Sequence, residues 1–175
     1  RKMGPALASG CTIIMKPSSE SPLTAVKLME LCEQAGFPKG VVNLVTGSSS
    51  KIAKVVMENS KVRKVTFTGS TEVGKTLIRQ SADQVKKLSL ELGGHAPLIV
   101  LDDADVDLAV KGTIASKFRN AGQTCIWANR VYVQEGVYDE FVDKLSKKVQ
   151  ELKVGDGMDE SVDIGPLINQ DGLDK

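Results

Sequence analysis

An α/β fold built on a parallel sheet is what this sequence predicts, and two observations predict it. Short apolar runs alternate with longer helical stretches along the whole 175 residues, the pattern of strand–helix–strand units. Turn residues close or follow several runs, as at Thr46-Gly47, Gly69-Ser70 and Gly93-Gly94. Right-handed crossovers between parallel strands place each strand-to-helix turn at one edge of the sheet, where such folds bind ligands.

The elements follow in order. Arg1-Lys2, an apolar run and Ala8-Ser9-Gly10 imitate a signal peptide, but the run continues through Cys11 to Met15 and stops at Lys16-Pro17. That is too short to span a bilayer. Thr12 to Met15 reads as a short buried strand, and Ser21-Pro22 opens a helix that Gly36 ends. Val41 to Val45 is a second strand. A helix around Ile52 to Met57 leads to a strand over Lys64 to Thr68, and Gly69-Ser70 starts a helix reaching about Ala82. From Val85 to Gly94 the alternation is that of a half-buried strand, with Leu88, Leu90 and Leu92 on one face and Ser89 and Glu91 on the other. Beyond it come a strand over Ala96 to Leu101, a helix over Val106 to Asn120, a strand over Arg130 to Gln134 and a helix over Val137 to Leu152. Gly93-Gly94 is the expected hinge between two domains. The stretch from Gly155 to Lys175 reads as irregular.

Composition narrows the function classes. Hydrophobic residues make up 41% and charged residues 26%, ordinary for a globular protein in water. With net charge +1 and the signs interspersed, nothing points to nucleic acid or a membrane surface. Cys11, Cys32 and Cys125 form no CxxC pair and leave an odd number, which favours a reducing cytoplasm over a disulfide framework. The chain opens on arginine rather than methionine and reads as a piece of a longer protein.

Two stretches carry the chemistry. In FRNAGQTCIWANR, Phe118 to Arg130, Cys125 follows turn-forming residues that end a helical pattern, with Arg119 shortly before it. A thiol in open space near a cation has reason to ionise, and the thiolate is the reactive form. A small buried residue is the other reading. Gly69 to Thr76, GSTEVGKT, fits the phosphate-loop pattern between a strand and a helix. Leu98 to Asp102 could even serve as the magnesium-binding strand of a nucleotide triphosphatase. Against that reading, Glu72 stands where triphosphate would have to lie, and Glu91 and Cys125 are left unused.

LELGG, Leu90 to Gly94, and GQTC, Gly122 to Cys125, resemble the general-base and nucleophile motifs of the aldehyde dehydrogenase superfamily, in the same order and at the family's usual separation. The resemblance runs through the chain, which is similar to the family's middle third and, within it, to the succinate-semialdehyde dehydrogenases. It implies Cys125 as nucleophile and Glu91 as the base that activates water. It also implies residues 1–93 as part of a Rossmann-like NAD(P)-binding domain and 94–175 as the first part of an α/β catalytic domain, with a homo-oligomer as the full-length assembly. Lys16, Pro17 and Ser19 match the family's cofactor-loop segment, with Lys16 reaching the adenosine ribose. Ser19 stands where many members carry a glutamate that repels a 2′-phosphate, so NADP is expected to be favoured over NAD. Gly47 would lie by the adenine, Gly69 and Ser70 by the pyrophosphate at a helix N-terminus, and Leu92 at the nicotinamide end. Arg119 and Arg1 match arginines that bind the far carboxylate of the substrate aldehyde, for which guanidinium forks are suited. The family's oxyanion asparagine falls upstream of Arg1. One departure is Trp127, where similar enzymes often carry a second cysteine; it is expected to narrow the substrate tunnel or to fill core. The competing expectations are a phosphate-loop triphosphatase and a non-catalytic fragment.

Overall fold

The computed structural model describes residues 1–174. The chain forms two compact units, one spanning Arg1–Glu91 and the other starting at Leu92.

In the first unit α1 (Met3–Ala8) precedes β1 (Ile13–Met15), so the apolar run that imitates a leader is divided between a helix and a strand. The sequence reading placed no helix there. Strand β1 pairs in parallel with β2 (Val42–Leu44), Ile13 opposite Val42, across helix α2 (Leu23–Gln34). Gly36 ends α2 as expected. At φ +81 it takes the left-handed turn, while its N–H reaches Glu33 O and that of Phe37 reaches Cys32 O, closing the helix's last carbonyls. Helix α3 (Ser49–Glu58) leads to β3 (Lys64–Thr68). This strand pairs in parallel with β4 (Lys87–Glu91) across α4 (Thr71–Ser81), with Thr68 opposite Glu91. The Ser70 hydroxyl caps α4 by accepting from Val73 N at 3.3 Å.

The second unit repeats the motif once. Strands β5 (Ala96–Val100) and β6 (Ala128–Val133) pair in parallel across α5 (Val106–Lys117), and α6 (Glu135–Gln150) packs on α5. Val100, Val106, Val110 and Phe141 form one buried cluster, with Leu98, Val131, Val133 and Leu145 packed around it. Asp105 caps α5 by accepting from Leu108 N at 3.0 Å. Lys144 of α6 bridges Asp107 of α5 at 2.9 Å and Glu140 at 2.7 Å.

Three further details differ from what the sequence predicts. The pairing is parallel, but the strands form three separate pairs rather than one continuous sheet. Helices α2, α4 and α5 each bring their own two strands side by side, whereas α3 carries the chain from β2 to β3 without pairing them. Helix α5 stops at Lys117 instead of reaching Asn120, because the chain tightens into a 3-10 turn from Arg119 and becomes left-handed at Asn120. The stretch after Gly155 also contains a short helix, α7 (Gln170–Leu173), whose Asn169 cap accepts from Gly172 N at 3.0 Å.

Candidate active site

Helix α5 ends in a single 3-10 turn over Arg119–Gly122, and a short loop then carries the chain into β6. Asn120 and Ala121 each have φ 55, and Gly122 follows at φ +73. Three consecutive left-handed residues reverse the chain sharply. Only the glycine adopts this conformation without steric cost. Gln123 braces the reversal: its Nε2 donates to Asn120 O at 3.1 Å, and its Oε1 accepts from Ile168 N at 2.9 Å. Asn120 Nδ2 in turn donates to Gln123 O at 3.3 Å.

Cys125 stands at the tip of this loop and is exposed, whereas Cys32 is buried; Cys11 is exposed too. The Cys125 thiol makes no hydrogen bond among the described residues. The buried-residue reading of Cys125 therefore fails. Arg119 is exposed and makes no ion pair among the described residues, so its guanidinium is available to an anion. Trp127 is half-buried, with the Lys117 ammonium 3.4 Å from its ring centroid. His95 meets the side-chain amide of Asn129, a contact that ties the start of β5 to the start of β6. Leu92, the first residue of this unit, is half-buried.

The first unit holds the other expected site residues. Glu91 closes β4 with its side chain on the exposed face of the strand, and its backbone oxygen accepts from Gly69 N at 3.0 Å. Its carboxylate makes no hydrogen bond or ion pair among the described residues. Lys16, Pro17, Ser19 and Gly47 come together on one cleft of about 350 Å³, which Val26 and Thr46 help to line. The two loops that follow β1 and β2 make this cleft, because parallel strands end on the same side. Gly69 and Ser70 lie at the turn from β3 into α4. A Cβ on Gly69 would come within 2.4 Å of the Phe67 ring, so any larger residue would have to displace that ring. The Ser70 hydroxyl is occupied by Val73 N, which among the described residues leaves the N–H groups of Thr71 and Glu72 as the unpaired donors that open α4. Arg1 is exposed in the first unit, and Lys2 beside it donates to Thr66 Oγ1 at 2.8 Å.

A family description, "Aldehyde dehydrogenase family", matches residues 1–175. The chain belongs to the aldehyde dehydrogenase family. It is 57% identical over 175 residues to the succinate-semialdehyde dehydrogenase (NADP(+)) of Escherichia coli strain K12, covering 100% of this chain and 36% of that protein. A 3-sulfolactaldehyde dehydrogenase of Pseudomonas putida is 53% identical over 175 residues, again covering 100% of this chain and 36% of the relative. Among solved structures, a succinate-semialdehyde dehydrogenase from Burkholderia pseudomallei superposes with a TM-score of 0.95 at 54% identity, covering 97% of this chain and 35% of that one. The chain thus spans about a third of the length of the relatives it matches. The family match leaves the phosphate-loop triphosphatase without support. Glu72 in the first turn of α4 and the exposed, unbonded Lys75 agree with its rejection.

Two features of the site were missed in the sequence: the left-handed run before Cys125 and the double role of Gln123. Asn120 and Gly122, the residue types that tolerate positive φ, were the available signal for the first. The partner of Gln123 Oε1 is 45 positions away in sequence, and no local pattern announces it.

Proposed function

We propose that the full-length protein oxidises an aldehyde bearing an anionic group at its far end, succinate semialdehyde above all, to the carboxylate, with NADP favoured over NAD. The observation that carries this reading is the family match over residues 1–175, and the exposed position of Cys125 at a loop tip supports it. Relatives named for succinate semialdehyde, glutarate semialdehyde and 3-sulfolactaldehyde stand at 53% to 58% identity. Their substrates share an acidic group at a distance from the carbonyl, which supports Arg119, and Arg1 with it, as the anion receptor. Two compact units support residues 1–93 as cofactor domain and 94–175 as catalytic domain.

The cleft fits the adenosine end of the cofactor. Lys16 would attract a 2′-phosphate, Ser19 leaves space for it, and Gly47 lets the backbone approach a flat ring. The amides that open α4, beside Gly69 and Ser70, would hold the pyrophosphate, and the Leu92 backbone would meet the nicotinamide end. When bound, NADP supplies the acceptor for the substrate's hydride. The chain's own part begins with Cys125 Sγ adding to the carbonyl carbon, which makes a thiohemiacetal oxyanion held by the Cys125 N–H. Loss of the hydride leaves a thioester on Cys125. Glu91 then takes a proton from water, whose oxygen adds to the thioester carbon; the carboxylate leaves and the thiolate returns.

A free thiol needs a reducing setting to stay reactive, so we place the enzyme in the cytoplasm. We assign it a homo-oligomeric state and no nucleic-acid or membrane partner; no helix among the described residues is long and apolar enough to cross a membrane. The chain by itself exposes 12877 Å², against about 10,000 Å² for two separate folded units of the same total mass. With unpaired strand edges as well, it should associate rather than turn over substrate alone.

Cys125→Ala in the full-length enzyme tests the core of this reading. The variant should keep cofactor affinity and fall below about one per cent of wild-type turnover. Glu91→Gln should give one burst of reduced cofactor and then stall. Full turnover in the alanine variant refutes the nucleophile, and an absent burst refutes Glu91 as the deacylation base.

A further inference from the structure

The three left-handed residues before Cys125, Asn120 and Ala121 at φ 55 and Gly122 at φ +73, form a turn that persists only when its surroundings over-determine it. Trp127 supplies that constraint. A Cβ on Gly122 would lie 2.9 Å from the ring's Cζ3 and 3.0 Å from its Cε3, so the indole rests directly against the glycine. The Lys117 ammonium sits 3.4 Å from the ring centroid, and the Lys117 carbonyl oxygen is 3.2 Å from the same Cβ position. Glycine, indole and the last residue of α5 thus form one stack. Gly122 and Trp127 also flank the loop that bears Cys125, so their contact closes that loop at its base.

We propose that Trp127 is a positioning residue for Cys125, its ring clamping Gly122 so that the left-handed turn and the thiol beyond it hold one geometry. This rests on Cys125 being the nucleophile. Without the ring the loop flanks separate and the thiol samples several positions, and a displacement of about 1 Å can cost on the order of 10² in rate. The cofactor cleft is built from residues of the other unit, so cofactor affinity should not follow. A residue that merely fills core would lower stability and spare the chemical step. One that merely narrows a tunnel would change KM and the choice of aldehyde instead.

The test uses full-length enzyme in five forms: wild type, Trp127→Ala, Trp127→Phe, Gly122→Ala and Cys125→Ser. The readouts are single-turnover NADPH formation at saturating succinate semialdehyde, KM for NADP, alkylation of Cys125 by iodoacetamide and thermal midpoint. Trp127→Ala should slow the single turnover by about tenfold to a hundredfold, change the alkylation rate, and leave KM for NADP within about twofold. Trp127→Phe should recover most of the rate, because a ring can still rest on Gly122. Gly122→Ala should slow the step although Trp127 is present, because its Cβ displaces the ring and the backbone resists φ +73. A single turnover in Trp127→Ala within about twofold of wild type overturns the proposal, as does a slowing that phenylalanine does not relieve. If Trp127→Ala does not fold, Gly122→Ala at wild-type rate overturns it equally. An active Cys125→Ser refutes the nucleophile and this proposal together, whereas an inert Cys125→Ser beside a fast Trp127→Ala refutes the clamp alone.

Discussion

The two units are held together by different means. From Leu92 onward one contiguous cluster, Val100, Val106, Val110 and Phe141 with Val131 and Val133 packed against it, joins two strands and two helices. In Arg1–Glu91 the buried apolar side chains are dispersed: Cys32 on α2, Met57 on α3 and Leu77 on α4. Beside them is a buried lysine. Lys86, 8% exposed, donates from Nζ to Asn59 O at 2.7 Å and Val62 O at 2.6 Å, pinning the entry of β4 to the loop before β3. Hydrophobic burial is non-directional and adds up over a cluster, while a hydrogen-bonded tie is directional and fails as a unit when one partner goes. A core suits the half that must hold a strained turn. Local ties suit a half whose exposed loops line an open cleft.

Substitutions in each half of the full-length protein should break or sharpen this contrast. The largest effect is expected from Phe141→Ala, at about 3–5 kcal/mol of stability, because it empties the centre of the contiguous cluster. A chemical-denaturation midpoint measures it, and a loss no larger than that of Leu77→Ala would erase the contrast. Arg119→Ala should cost about 1.5–3 kcal/mol in kcat/KM for succinate semialdehyde but little for an uncharged aldehyde of equal length, since on the proposed reading it removes a charged hydrogen bond to substrate. Equal losses on both aldehydes would make Arg119 structural. Lys86→Met should destabilise by about 1–3 kcal/mol by leaving carbonyls unpaired, and hydrogen exchange should then speed up in the first unit alone. Ser19→Glu should shift kcat/KM towards NAD by about tenfold, which is about 1.4 kcal/mol, and leave the aldehyde preference unchanged.

The smallest effect concerns pH. Asp107 and Glu140 beside Lys144 hold its pKa above the usual lysine value. A raised value in the folded state means the link between α5 and α6 contributes fully below the ordinary lysine range and is lost as pH rises through the raised one. Lys144 is exposed enough that solvent screens most of this. Lys144→Met should therefore flatten the alkaline side of the stability profile only slightly.

Much of this architecture was legible because local signals and packing agree. Lys64–Thr68 ends where its apolar alternation ends, and Ser70 and Gly36 mark helix boundaries with residues whose hydrogen bonds the structure shows. The residues that the family resemblance groups as the cofactor loop line one cleft, because strands β1 and β2 end side by side. Elements set by distant partners were not legible. Helix α1 lies inside an apolar run that carries no cap signal, and the turn after Lys117 packs against a ring ten positions further on. The short α7 is announced only by Asn169. Whether strand pairs merge into one sheet depends on what lies between them, and no residue of β1 or β3 encodes that.

Gly69 shows how a sequence pattern can mislead for a structural reason. A phosphate loop and this turn share a letter because both need a residue without a side chain where the chain leaves a strand, but here the demand comes from the Phe67 ring. The letters of GSTEVGKT therefore carry unequal information about this molecule. Gly69 is fixed by contact, Gly74 is buried, and Ser70 is engaged as a cap. Lys75, the letter that would matter most to a triphosphate, is exposed and makes no bond among the described residues. Among the described residues nothing holds Lys75, so the likeness to a nucleotide-binding loop rests on the letter of the motif that this fold constrains least.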